Sequence, residues 1–104
     1  MKLLTKEIID RLPTNEESRD SGIDELTVQV KFFNPTGNGT WYVYSYSPDE
    51  RIGYALCDLG CPFPELGAFS MDELENYKGI FGLGIERDLH YRPRPLREVM
   101  DAVG

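Results

Sequence analysis

Residues 26–47, "LTVQVKFFNPTGNGTWYVYSYS", constrain this chain more than any other stretch. The first eight alternate, sending Val28, Val30 and Phe32 to one side and Thr27, Gln29 and Lys31 to the other. That two-residue period suits a strand, not a helix. "NPTGNG" is a cluster of turn residues, and the aromatic and hydroxyl residues that follow return as a hairpin partner. "RIGYALCD" makes a third strand after the turn at "SPDE", and sequential strands with short links give an antiparallel meander. A lone hairpin is marginal in water, so other elements must cover its apolar side.

The flanks supply them. Thr5 can cap a helix over "KEIIDRL", whose stripe is Leu4, Ile8, Ile9 and Leu12 and whose end is set by Pro13. Residues 14–25 carry five acids against one arginine with no apolar period, and are expected to be a mobile, solvated loop. "SMDELENY" opens with a capping box, Ser70 to Glu73, which predicts a helix from Met71 to Tyr77 that stops near Gly79. "IERDLHY" alternates Ile85, Arg87, Leu89 and Tyr91 against Glu86, Asp88 and His90, the pattern of a strand with one wet face. Pro95 can start a closing helix over "LREVMDAV". The expected fold is α+β: one domain over residues 1–104, with a mainly antiparallel sheet of about four strands and two or three short helices. Its strands are placed at Val28 to Phe33, Trp41 to Ser47, Ile52 to Cys57 and Ile85 to Tyr91, with Val28, Val30, Phe32, Ile85 and Leu89 inside.

Composition limits what such a domain does. A chain of 104 residues buries one core and at most a shallow site. No apolar run approaches the roughly 18 residues of a membrane span, and acids interrupt "MKLLTKEIIDRL" where a signal peptide needs apolar residues, so a cytoplasmic location is expected. Cys57 and Cys61 are then expected to be free thiols. Zinc would need two further ligands, for which only His90 and carboxylates are on hand, so neither a metal nor another cofactor is expected.

Three stretches carry candidate chemistry. On one strand face Glu86, Asp88 and His90 would sit about 7 Å apart, a spacing that lets acid, base and orienter meet one ligand. The same pattern is what any solvent-facing strand shows, and no nucleophile stands beside it in sequence, so no enzymatic role is expected. "GIFGLG" follows a helix and leads into a strand, the reverse of a phosphate-binding loop, and its glycines read as turn residues with positive φ. Tyr42, Tyr44 and Tyr46 would share one strand face and could stack bases, with His90, Arg92 and Arg94 as further nucleic-acid contacts.

Charge weighs against that last use. The chain has 18 acids against 11 lysines and arginines, a net charge of −7, whereas nucleic-acid binding depends on neutralising phosphates. Residues 49–88 hold nine acids and three bases, while 1–48 hold seven and five, and 89–104 two and three. The middle third therefore dominates the field. Acids in the first turn of the second helix, Asp72 and Glu73, favour its dipole. Asp49, Asp58, Glu65, Glu86 and Asp88 have no such local role, and Glu65, Glu86 and Asp88 are expected to join Asp72, Glu73 and Glu75 of that helix in one negative face that steers towards a basic partner.

The runs "LLTKEIIDRLP", "VKFFNPTGNGTWYVYSY" and "ELGAFSMDELENYKGIFGLGIERDLHYRPRPL" resemble the small bacterial family catalogued as domain of unknown function 2958, found on plasmids, phages and other mobile elements. "CDLGCPFP" and "ESRDSGIDE" depart from that pattern. The resemblance implies a mobile-element setting, in which small acidic proteins counter host defences. It implies a binding module that inhibits an RNA-guided CRISPR nuclease by occupying its basic nucleic-acid channel. Glu65, Asp72, Glu73, Glu75, Glu86 and Asp88 would then meet the nuclease or its guide-RNA complex. Two other readings stay open: a nucleic-acid-associated accessory protein using the tyrosines and residues 90–97, and a small enzyme using Glu86, Asp88 and His90.

Overall fold

A computed structural model describes residues 2–103. The Thr5 hydroxyl accepts the Ile8 N–H and opens α1 (Lys6–Arg11), whose apolar stripe of Leu4, Ile8 and Leu12 is buried as the spacing predicts. The next segment differs from expectation. Thr14 and Glu17 form a reciprocal capping box that starts α2 (Asn15–Arg19), and a 3₁₀ turn follows at Ile23–Glu25. This stretch is held because Asn15 is buried: its N–H donates to Ser47 Oγ, its Nδ2 to the Ile52 carbonyl, and its Oδ1 accepts from Ser45 Oγ. Acidity on the outside does not make a loop when one buried asparagine makes three bonds.

The strands are β1 (Thr27–Val28), β2 (Val30–Phe33), β3 (Thr40–Ser47), β4 (Ile52–Asp58), β5 (Glu65–Ser70), β6 (Glu86–Arg87) and β7 (Arg94–Pro95). A five-stranded antiparallel sheet runs β5-β4-β3-β2-β6, and β1 pairs with β7 apart from it. The meander β2-β3-β4 is as expected, and so is the α+β class. Two strands were not foreseen from the pattern. β5 is an edge strand exposed at Glu65, Leu66 and Ala68, so it shows no clean alternation, and β7 is a two-residue "RP" pairing that no period can signal. Helices α3 (Met71–Asn76), capped by Ser70, and α4 (Leu96–Val103) complete the fold, with Pro95 lying in β7 just before α4 rather than inside it.

The sheet carries a core on each face. On the first, α1 and α3 bring Leu4, Ile8, Leu12, Met71 and Leu74 against Val30, Phe32, Val43, Tyr46, Ala55 and Phe69. On the second, α4 brings Leu96 and Val99 against Val28, Tyr44 and Leu56. Gly53 marks how tightly the first face is filled: a Cβ there would lie 2.4 Å from the Phe69 ring. Val28, Val30 and Phe32 are all buried, but not together. The strand breaks at Gln29, whose N–H goes to the Val43 carbonyl, and Val28 crosses to the second core.

A register shift between Val43 and Ser45 has the same effect on β3. Tyr42 and Tyr44 pack on the second face, and the extra residue of the bulge turns Tyr46 into the first core. β2 ends opposite Val43, and residues 13–15 continue its place along β3, where the Tyr46 N–H donates to the Pro13 carbonyl.

Candidate functional site

The expected strand over 85–91 is shorter than its alternation suggests. Only Glu86 and Arg87 pair with β2, opposite Phe33 and Phe32. One more bond follows, from the Asp88 N–H to the Lys31 carbonyl, and the chain then turns. Asp88 causes the turn: its Oδ1 accepts the His90 N–H at 2.9 Å and its carbonyl accepts the Tyr91 N–H. Ile85 is buried in the first core, but Leu89 is 64% exposed at the tip, contrary to its expected place inside.

Glu86, Asp88 and His90 nevertheless meet around one open groove of about 410 Å³, which Lys31, Phe33 and Leu89 also line. The three do not share the strand face their alternation suggests. Asp88 is engaged in capping its turn and stands 4.0 Å from Lys31 Nζ, while His90 belongs to the turn and not to a strand face. Lys31 in turn lies 5.6 Å from the centre of the Tyr42 ring, which packs tilted against Tyr91. Burial pushes the phenols of Tyr42 and Tyr91 above the ordinary tyrosine range, the nearby Asp58 charge adding to the effect at Tyr42 and Arg94 opposing it at both. Among the described residues no three His, Cys, Asp or Glu side chains gather as a metal site.

The tyrosine platform is not formed. Tyr44 and Tyr46 are buried in opposite cores, which leaves Tyr42 as the partly accessible member of the three. Arg94 is held by Glu98 at 2.9 Å, and Arg97 holds Asp24, so Arg94 fastens α4 to β7 and Arg97 fastens it to the acidic 3₁₀ turn. The pairing of β7 with β1 and the bond from Leu96 N–H to the Leu26 carbonyl complete that tie. Arg92 is exposed.

The six acids expected on one face are dispersed. Glu65 is on the β5 edge and Glu86 on the β6 edge, four strand spacings apart, or roughly 19 Å. Asp72 and Glu75 lie on α3 against the first face, both bonded to Arg51, and Asp88 pairs with Lys31, whose neighbours are on the second. Glu75 and Glu86 do come together, with Lys78, along a second groove of about 490 Å³ beneath residues 82–84. Sequence pattern could not show this spread, because it depends on which edge each short strand joins. It also missed Lys31, Phe33 and Arg51, which are single residues with no local signature, and Asn15, which the "TNEE" capping box did signal.

A family model matches residues 3–102 and describes a protein of unknown function, DUF2958. The chain belongs to the DUF2958 family. No curated protein and no solved structure matches it. The DUF2958 match runs through both cores, both grooves and the departing stretches "CDLGCPFP" and "ESRDSGIDE" alike. Cys57 and Cys61 are free in this DUF2958 chain. Cys57 is half-buried beside the first core, where burial pushes its thiol above the ordinary range, and Cys61 is exposed. No helix among the described residues is long and apolar enough to cross a membrane.

Proposed function

We propose that this DUF2958 protein is an acidic binding module from a mobile-element setting that occupies a basic nucleic-acid channel of a host nuclease, an RNA-guided CRISPR nuclease being the case to test. One observation carries the reading. Among the described residues, Lys6, Arg11, Lys31, Arg51, Arg94 and Arg97 are held in ion pairs with the chain's own acids. These cations are thus spent on the chain's own acids, while carboxylates with no ion pair among the described residues, such as Glu65, Glu73 and Glu86, stand on both sheet edges and on α3. Such a body is negative from several sides, as a nucleic-acid backbone is, and suits a channel that encloses its ligand better than a flat basic patch. In this reading the protein acts by binding, and no group is asked to do chemistry.

The test is binding of the purified protein to a purified CRISPR effector, with and without guide RNA, at rising salt. Replacing Glu65, Glu73 and Glu86 together with lysine changes the net charge from −7 to −1, since each reversal adds two. We expect association to slow at least about tenfold at physiological salt and the parent's binding to weaken as salt rises. Arg92→Ala with Arg94→Ala should matter less. A triple reversal that binds as tightly as the parent, or a parent whose binding ignores salt, overturns the reading.

A further inference from the structure

The two edges of the large sheet are unequal. β6 offers two paired residues, whereas β5 runs for six without a register shift against β4. Natural edges are blunted by lysine, proline or a bulge, and "ELGAFS" has none of these between Glu65 and Ser70. Which backbone groups point outward follows from one bond. The Met71 N–H donates to the Arg51 carbonyl, so residue 71 is a bonded partner of residue 51. Bonded and non-bonded pairs alternate along an antiparallel ladder, so Phe69, Gly67 and Glu65 spend their N–H and C=O groups on β4. Leu66 and Ala68 therefore direct theirs away from the sheet, and both residues are exposed, Leu66 by 40%.

We propose that β5 is a self-association edge: two copies of this chain join antiparallel through β5, centred on Gly67, and extend the five-stranded sheet into one of ten strands. Leu66 of each copy lies opposite Ala68 of the other, and each such pair exchanges two hydrogen bonds, four in all. Gly67 meets Gly67 at the axis as a close non-bonded pair, and a Cβ at Gly67 would have nothing within 4 Å in the single chain, so that space is open. The neighbouring registers are poorer. Centring on Leu66 would bring in Pro64, which has no N–H, and centring on Ala68 would bring in Ser70, the last residue of β5, where the chain already turns into α3. On the second face Leu66 and the exposed Tyr54 of both copies form one apolar stripe across the junction.

Charge selects a second copy as the occupant. A chain of net charge −7 repels itself, but residues 59–71 contain a single charged side chain, Glu65. In the Gly67-centred register Glu65 lies opposite Phe69 of the second copy and not opposite another acid. The stretch is thus the place where two acidic bodies approach at least cost, while a basic partner is drawn to other surfaces.

Sedimentation equilibrium of the full chain, from about 10 μM to 1 mM, tests the proposal. The expected result is a monomer–dimer equilibrium that tightens with salt, with the amides of Leu66 and Ala68 exchanging more slowly at high concentration. Ala68→Pro removes only outward-facing donors, two per dimer, and leaves the β4 ladder intact; it should raise the dissociation constant at least about tenfold. Leu66→Lys should do the same by placing charge on the edge. Phe81→Ser, on a different exposed loop, should leave the dimer unchanged. If Ala68→Pro folds poorly, Leu66→Lys, which alters one exposed side chain, decides alone. A monomer throughout the range, a dimer indifferent to the β5 variants, or one weakened as much by Phe81→Ser overturns the proposal.

Discussion

The two faces of the sheet are built differently, and the difference separates what holds the fold from what is docked onto it. The first core gathers thirteen buried residues from α1, α3 and every strand from β2 to β5, so no element can leave without opening it. The second gathers five, and two of those, Leu96 and Val99, come from one C-terminal helix. A helix held by two buried side chains, a two-residue strand, one backbone bond and the Arg97–Asp24 pair is expected to open as a separable unit. The face it leaves uncovered carries the groove around Lys31, Phe33, Glu86 and Asp88.

The largest expected effect is at Phe32, fully buried and edge-on to Phe69 at 6.1 Å between ring centres. Phe32→Ala should cost about 3–5 kcal/mol, read by urea denaturation with Trp41, the chain's single tryptophan, as a reporter packed on the same core. A loss below about 1 kcal/mol would mean the first core is not what holds the sheet together. Leu96→Ala removes a side chain just as buried, at a cost of about 2–5 kcal/mol, but the loss should be regional. Hydrogen exchange should speed up over α4, β1 and β7 while β3 and β4 keep their protection. If the whole sheet loses protection together, the two faces are one cooperative unit and the contrast fails.

Asn15→Ala sits between these cases, because residues 13–15 take over where β2 ends. It strips the Ile52 carbonyl of a donor and the buried Ser45 hydroxyl of its acceptor, and should cost about 1–3 kcal/mol. Retention of full stability would mean that water replaces the amide and that this segment is the solvated loop its acidity suggests.

What was legible in the sequence tracks where the cause of each element lies. β2, β3 and β4 follow from period and turn residues, and α1 and α3 from their caps, all of which are local. The side each residue faces was less legible, since a break at Gln29 and one extra residue in β3 each reverse the parity of everything beyond them. That is why Val28 changed cores and why Tyr42, Tyr44 and Tyr46 do not share a face. The acidic face failed for a longer-range reason. Glu65 and Glu86 lie on strands whose neighbours are fixed by topology, and alternation within a segment says nothing about which edge that segment joins. Asp88 was read as one member of an alternating strand face, when its carboxylate ends the strand by bonding the backbone two residues on.

The smallest effect compares the faces by titration. Burial is the first cause pushing the phenols of Tyr44, on the second face, and Tyr46, on the first, above the ordinary tyrosine value of 10.0; for Tyr46 the Arg51 charge draws it part of the way back. The phenolate is therefore the form the fold disfavours. Unfolded phenols ionise near pH 10, so the contribution of these groups is fully present below that value and is lost as pH rises from there through the raised folded values. Phenylalanine in their place removes the proton to be lost. Tyr44→Phe should move the alkaline release of α4, followed by hydrogen exchange, to higher pH, and Tyr46→Phe should do so for the global transition seen by Trp41. The shifts should be separable because the two rings belong to different cores. Ionisation of Tyr44 and Tyr46 below pH 10, followed at each ring's own resonances, with circular dichroism unchanged would show that neither ring is held as described, and equal shifts of both transitions by either variant would show that the second face does not unfold on its own.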